Sequence, residues 1–186
     1  MKVCIDAGHG ASNKKKGVYD PGASGGGLHE ADITLQWALT GKYILTQLGF
    51  EVFLTRDDDR DEAPVGSRDE MAEKAGCDVF ISVHCNAGGG TGVETYYRGP
   101  DDLPLARMVN NALIGATGGK NRGTHKESDS QHPRLAIMDF NGPCCLCEAG
   151  FIDNGAKDRK WLTDRNVRIT FWKAVGAGLK AVKVKG

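Results

Sequence analysis

The sequence has no excess of charge of either sign, because its 186 residues include 24 Lys plus Arg and 24 Asp plus Glu. A chain without a basic excess has no long-range field that would attract nucleic acid or an anionic membrane. Long apolar runs are also missing: none approaches the roughly 18 residues of a membrane-spanning helix, and Asp6 interrupts the first apolar stretch too early for a secretion signal. We therefore expect a soluble chain without an export signal, which neither binds nucleic acid nor inserts into a membrane.

Cysteines spaced for cross-linking are lacking as well. Three of the six cysteines, Cys144, Cys145 and Cys147, crowd into four positions, and most of the others lie within apolar runs. Such cysteines cannot cross-link distant parts of a chain well and are typical of buried free thiols. Cys144 and Cys147 have C-x-x-C spacing, but a structural zinc site would need a second such pair. The cysteines therefore predict free thiols in a chain made in a reducing compartment.

The sequence does contain a short, strongly apolar run that is followed at once by polar residues. The run from Val79 to Val83 carries no charge and follows Gly76 closely, which is typical of a strand buried on both faces of a sheet. His84 and Asn86 come directly after it. Open α/β sheets bind ligands beyond the carboxyl ends of their strands. This spacing therefore predicts that His84 and Asn86 lie at a ligand-binding edge.

Two other predicted strands end in side chains of the same chemical kind. A strand over residues 3–5 leads into His9, which stands between two glycines, and a strand over 143–147 ends at Glu148. If these strands are neighbours of the one that ends in His84, the three side chains share one edge of the sheet.

The rest of the chain alternates between predicted helices and strands. A helix begins at Glu30 and ends near Gly49, and residues 50–55 form the next strand. The other expected elements are helices over 63–75, 103–114 and 167–182, strands over 92–97 and 135–138, and loops over 11–27 and 115–131. This order predicts a single α/β domain over residues 1–182, with a twisted, mostly parallel mixed sheet flanked by helices on both faces. Residues 183–186 form a tail or the start of a linker.

The candidate site residues have the chemistry of a zinc site. Catalytic zinc uses three protein ligands and one open position, and two His with one Glu is a known set. His9 and His84 supply the imidazoles. Either Glu30 or Glu148 can supply the carboxylate, which leaves the other for acid–base work. The residues alone do not decide between the two glutamates and do not exclude His29. The alternative is that the histidines are unrelated residues in turns.

The segments around these residues resemble a known family. They are IDAGHG (5–10), DPGA (20–23), Glu30, TRDDD (55–59), SR (67–68), FISVHCNA (80–87), GVETYY (92–97) and EAGFIDN (148–154). In this order they resemble the zinc-dependent N-acetylmuramoyl-L-alanine amidases of the bacterial cell wall, of the amidase 3 type. The resemblance implies one Zn²⁺ per chain with His9, Glu30 and His84 as ligands. It gives Glu148 the catalytic role and leaves His29 as a loop residue.

The resemblance also draws attention to residues near the ligands. Asp6, Asn86 and Glu94 are candidates for orienting the ligands or contacting substrate, since ligating imidazoles usually donate their other N–H to an oxygen. Arg56 and Arg68 match positions of the family too, and we expect them to be structural or solvated.

The implied activity is hydrolysis of the amide between the lactyl group of N-acetylmuramic acid and the L-alanine of the peptidoglycan stem peptide. The regulatory helix of some secreted relatives is not obvious here, because the spans between the motifs are short, so we expect an enzyme that is active without a protein partner. We also expect a monomer. The implied setting is a phage-type endolysin made in the host cytoplasm, or alternatively a secreted autolysin without its signal. Two other functions stay open: another zinc peptidase, such as a carboxypeptidase-like enzyme, and a non-catalytic peptidoglycan-binding module.

Overall fold

Six strands form one central sheet in the part of the chain that the computed structural model describes, residues 1–130, 134–153 and 155–181. They are β1 (Lys2–Ala7), β2 (Glu51–Leu54), β3 (Val79–Asn86), β4 (Val93–Tyr97), β5 (Asn121–Lys126) and β6 (Cys144–Phe151). Their spatial order is β2-β1-β3-β6-β4-β5, and every neighbouring pair is parallel except β6 with β4. The predicted mostly parallel mixed sheet is confirmed. Val182 and the expected tail over 183–186 lie outside the described residues.

Helices cover both faces of the sheet, as predicted. They are α1 (Glu30–Gln47), α2 (Arg68–Lys74), α3 (Leu103–Thr117), α4 (Gly155–Thr163) and α5 (Arg165–Leu179), with 3-10 turns at Val65–Ser67, Glu127–Asp129 and Ala136–Asp139. On one face α1, α3 and α5 pack together, with Trp37, Phe171 and Trp172 fully buried there. On the other face, Phe80 packs in a smaller cluster with residues of α2 and of the turn Ala136–Asp139. None of the described helices is long and apolar enough to cross a membrane.

The central strands are continuous apolar runs because both of their faces are covered. In β3, Ile81 and Val83 belong to the larger core and Phe80 belongs to the smaller one. The same alternation places Cys145 and Cys147 of β6 in the larger core. All six cysteines are free thiols, so the C-x-x-C spacing here belongs to cysteines that pack in the core.

Two segments differ from their predicted structure. The loop expected over 115–131 contains β5, whose sequence NRGTHK is polar because the strand lies at the sheet edge and pairs only with β4. The strand expected over 135–138 is the 3-10 turn Ala136–Asp139, in which Ile137 and Met138 are buried. A short apolar run fits either structure, and here its buried side chains pack in the smaller cluster with Phe80.

Helix boundaries differ in two further places. The helix expected over 63–75 begins with the 3-10 turn Val65–Ser67 after Pro64, and α2 begins only at Arg68. The helix α4 was not predicted, because its charged sequence GAKDRKWLT has little apolar periodicity. The loop expected over 11–27 contains short strands, and two antiparallel ladders pair Gly10–Ala11 with Tyr19–Asp20 and Ser24–Gly25 with Leu28–His29.

Candidate metal centre and active site

The carboxyl ends of β1, β3 and β6 lie side by side, because these strands are parallel neighbours. His84 of β3 and Glu148 of β6 occupy paired positions, and Glu94 of β4 is paired with Glu148 from the other side. Paired positions project from the same face of a sheet. His9 follows the end of β1 and lines the same cavity as His84 and Glu148. The structure therefore brings together the three strand-end side chains.

Glu30 completes this group from the first residue of α1, where it is only 3% exposed. Its carboxylate lies between the two imidazoles: Oε2 is 3.1 Å from His9 Nε2, and Oε1 is 3.0 Å from His84 Nδ1. The backbone N–H groups of Ala23 and Cys85 donate to the same carboxylate at 2.9 and 2.8 Å. Glu30 is therefore the carboxylate that both imidazoles share.

A second carboxylate, Asp20, holds the other side of the His9 ring. Asp20 Oδ2 lies 3.0 Å from His9 Nδ1 and accepts a hydrogen bond of 2.7 Å from Asn13 Nδ2. A proton on Nδ1 in this contact leaves a lone pair on Nε2, on the side of Glu30. Asp20 belongs to the DPGA motif, and the sequence predicted no role for it. Its signal was an acidic residue in the glycine-rich loop at the same sheet edge.

Two glycines give the imidazoles and the carboxylate their space. A Cβ at Gly8 would lie 2.4 Å from His84 Cε1. One at Gly22 would lie 2.7 Å from both Glu30 Oε2 and His9 Cδ2. Any larger residue would displace these side chains. His9 itself has a φ of 64°, in the left-handed region that non-glycine residues rarely adopt.

The two glutamates have opposite electrostatics. Burial alone would raise the pKa of Glu30, but its contacts with the imidazoles of His84 and His9 outweigh burial and hold this pKa well below its ordinary value. Burial raises the pKa of Glu148 well above its usual range, and the charges of Glu30 and Glu94 add to the rise. Glu148 Oε2 is buried and has no hydrogen-bond partner among the described residues. Glu30 is thus suited to be an ionised ligand and Glu148 to exchange a proton.

The donor set fits a zinc ion. One ligand atom from each of His9, Glu30 and His84 lies within 4.8 Å of the others, and two imidazoles with one carboxylate is a set that catalytic zinc sites use. His29, which the residues alone left as a candidate, is exposed, and its Nδ1 lies 2.8 Å from Ser24 Oγ. The structure does not bring His29 into the group.

A profile of the N-acetylmuramoyl-L-alanine amidase family, of the amidase 3 type, matches residues 3–181. The chain belongs to this amidase family. The sporulation-specific N-acetylmuramoyl-L-alanine amidase of Bacillus subtilis (strain 168) is 34% identical over 168 residues, which cover 88% of this chain and 61% of that protein. The endolysin of Bacillus phage SPP1 is 32% identical over 167 residues, which cover 82% of this chain and 55% of the endolysin.

The fold is shared with a solved amidase domain. The catalytic domain of CwlV, an N-acetylmuramoyl-L-alanine amidase from Bacillus (Paenibacillus) polymyxa var. colistinus, matches with a TM-score of 0.82 and 31% identity, over 98% of this chain and 99% of that domain. The chain spans 61% and 55% of the length of the two relatives named above.

Asn86 and Glu94, two of the residues predicted to orient the ligands or contact substrate, line the same cavity as Glu148. Asn86 Nδ2 donates to Glu94 Oε1 at 2.5 Å. Glu94 is 4% exposed and forms an ion pair of 3.0 Å with Arg122 Nε. Arg122 was not predicted as a site residue, because it lies in β5, a segment whose polar composition predicted a loop.

The third candidate, Asp6, lies beneath the site. It is fully buried and accepts hydrogen bonds of 2.6 Å each from Thr55 Oγ1, Ser82 Oγ and Arg68 Nη1. Among the described residues it makes no hydrogen bond to an imidazole, and Asp20 has that position instead. Asp6 supports the strands that carry the site.

The site opens into a cavity of about 660 Å³. The four residues His9, Glu30, His84 and Glu148 line it, together with apolar side chains such as Phe151. Its volume lies within the roughly 300–1,000 Å³ that is common for ligand-binding pockets. Polar and charged side chains such as Glu94 and Arg122 line it as well as apolar ones, so the cavity can hold a polar substrate in one orientation.

Proposed function

We propose that this chain hydrolyses the amide bond between the lactyl group of N-acetylmuramic acid and the L-alanine of the peptidoglycan stem peptide, with residues 1–182 as the catalytic domain. The observation that carries the proposal is the position of Glu148, a carboxyl group with a raised pKa, paired across strands with His84 at the edge of the His–Glu–His group. Membership of the amidase family and the likeness to the CwlV catalytic domain support it.

We propose His9, Glu30 and His84 as the ligands of one zinc ion. Bound there, zinc would supply a Lewis acid for the amide carbonyl and make water more acidic. The chain itself supplies orientation: Asp20 fixes the tautomer of His9, and two backbone N–H groups hold the carboxylate of Glu30. These contacts keep the ligand atoms in place before substrate arrives.

Glu148 moves the proton in the proposed reaction. Its carboxylate takes a proton from the attacking water as the water oxygen bonds to the carbonyl carbon. It then donates this proton to the nitrogen of the breaking C–N bond, so that the peptide leaves as an amine and the lactyl group becomes a carboxylic acid. General acid–base catalysis of this kind contributes about 10²–10⁴-fold, and it is most effective when the group's pKa lies near the working pH. The raised pKa of Glu148 moves it in that direction.

The proposed partner is peptidoglycan, and the proposed place of action is the cell wall. The likeness to a phage endolysin and to a sporulation-specific amidase supports both points. We propose that the chain acts as a monomer without a protein activator.

Digestion of purified peptidoglycan, followed by mass spectrometry of the products, tests this function. We expect stem peptides that begin with L-alanine, their loss when a chelator removes the metal, and their return when zinc is added. A carboxypeptidase-like enzyme would instead release single residues from the carboxyl end of the peptide. Binding to peptidoglycan without any product would indicate a wall-binding module and would overturn the proposal.

A further inference from the structure

Arg122 places a guanidinium group in the cavity lining that the proposed reaction does not use. It lies in the edge strand β5 and lines the same cavity as Glu148 and His84. Its Nε is 3.0 Å from Glu94 Oε2, and its guanidinium carbon lies over the ring of Phe151, 5.0 Å from the centroid. The side chain is thus held both along one edge and on one face.

These contacts orient the guanidinium without using all of its donors. Glu94 is almost completely buried and is itself held by Asn86, so it is a firm anchor for the Nε atom. The ion pair uses Nε alone, and no hydrogen bond among the described residues uses Nη1 or Nη2 of Arg122. Arginine binds carboxylates through pairs of parallel N–H groups, and a guanidinium already fixed in place loses little freedom on binding.

The charge around Arg122 makes this a local site. Asp129 lies on the same cavity wall as Arg122, so the wall has no uniform positive field that would attract any anion. A ligand would therefore be selected at short range, by the parallel N–H groups of the Arg122 guanidinium. The fitting ligand is a carboxylate.

We propose that Arg122 binds a free carboxylate on the peptide part of the substrate, so that the chain prefers stem peptides whose carboxylate near the scissile bond is not amidated. The inference rests on the proposed function and deepens it. In that substrate the lactyl carboxyl is already part of the amide, so the muramic acid carries no carboxylate. A carboxylate at Arg122 must therefore belong to the peptide, which then extends from Glu148 toward β5.

The probe is a pair of muramyl tripeptides, both with an amidated carboxyl terminus. Their second residue is a γ-linked D-glutamate, whose α-carboxyl group is free in one tripeptide and amidated in the other. For the zinc-loaded parent we expect kcat/KM to be about 10- to 100-fold higher on the free acid. In Arg122→Gln this ratio falls to about one. Arg122→Lys should show only part of the parent's preference, because an ammonium group lacks the two parallel N–H donors of a guanidinium. The control Lys126→Gln removes a charge from the same strand, outside the described cavity lining, and leaves the ratio unchanged.

The readout is the ratio of kcat/KM between the two tripeptides, because Arg122→Gln also leaves the buried carboxylate of Glu94 without this arginine. We expect that loss to slow the cleavage of both tripeptides alike. The double variant Arg122→Gln with Glu94→Gln removes that unpaired charge, and we expect its ratio to stay near one. Two results would show that Arg122 does not bind the carboxylate, while the amidase function stands. The parent would cleave both tripeptides equally, or the preference for the free acid would survive in Arg122→Gln and in the double variant. If the parent cleaves neither tripeptide nor peptidoglycan, the proposed function itself fails.

Discussion

Two polar clusters lie at the end of β1, and they differ in how their polar atoms are partnered. The support cluster consists of Asp6, Arg56 and Arg68; the ligand cluster consists of His9, Glu30, His84 and Glu148. All three guanidinium nitrogens of Arg68 donate hydrogen bonds, and Arg56 Nη1, which makes none, lies 3.6 Å from Asp59 Oδ1 in an ion pair. Glu148 Oε2, in contrast, is buried with no hydrogen-bond partner among the described residues and no cation beside it. A satisfied network gives rigidity, whereas unused hydrogen-bonding atoms are the ones that a metal or substrate can engage.

The support cluster holds the loop that carries His9. Arg68 Nη2 donates to the carbonyl oxygen of His9 at 2.8 Å, and Arg56 Nη2 donates to that of Gly8 at 3.1 Å. Burial alone would raise the pKa of Asp6, but the charge of Arg68 and two hydroxyl hydrogen bonds lower it below its ordinary value. Because this pKa is depressed in the folded state, the stabilisation is present above about pH 4 and is lost as the pH falls through the lowered pKa.

The largest expected effect comes from removing an imidazole of the ligand cluster. His84→Ala leaves two ligands for the metal, so we expect the purified variant to contain little zinc and to release no measurable stem peptide. Metal analysis and the peptidoglycan digest measure both results. His29→Ala is the matched control, since this exposed histidine lies next to Glu30 but outside the cluster. Full zinc occupancy in His84→Ala would remove this residue from the ligand set.

Glu148→Gln separates chemistry from metal binding. Glutamine keeps the size of the side chain but cannot carry the proton, so we expect kcat to fall by about 10²–10⁴-fold with zinc content unchanged. The control is Glu70→Gln, at an exposed glutamate of α2. A rate within a few-fold of the parent would contradict the proton transfer assigned to Glu148.

Breaking the support cluster should affect stability first. Arg68→Met leaves the buried charge of Asp6 without its partner, which costs about 3–5 kcal/mol in the free energy of unfolding. Urea denaturation at pH 7 measures this cost, and repeating it at pH 3.5 should give a smaller one, because Asp6 can then be protonated in the variant. Arg60→Met, at an exposed arginine, should change stability by no more than about 0.5 kcal/mol. Equal costs at both pH values would contradict the charge origin of the effect.

The same comparison shows what the sequence could predict. The strand from Val79, the strand ends and the mostly parallel sheet were predictable because a strand covered on both faces must be apolar along its length. The strand β5 was not, because an edge strand is held by hydrogen bonds to β4 and can be polar. Arg122 was missed for that reason alone.

The choice of ligand carboxylate was also beyond residue counting. Glu30 and Glu148 have the same chemistry, and the family resemblance was needed to choose between them. The structure distinguishes them by contacts: Glu30 meets both imidazoles, whereas Glu148 meets neither through a hydrogen bond among the described residues. Asp20 went unassigned because its contact with His9 depends on a short ladder between Gly10–Ala11 and Tyr19–Asp20 in a segment with no apolar pattern.

Asp20 could belong to either cluster, and substituting it shows to which one it belongs. We expect this substitution to have the smallest effect of the four. Asp20 touches the ligand cluster through His9, yet it is satisfied like the support cluster, by Asn13 and the backbone of Gly22. If it orients the imidazole, Asp20→Asn should weaken zinc binding by about 10- to 100-fold while the zinc-saturated variant stays folded. Competition with a zinc-binding dye measures this affinity, and Asp32→Asn, at an exposed carboxylate of α1, is the matched control. An unchanged zinc affinity together with a lower unfolding free energy would assign Asp20 to the support of the fold.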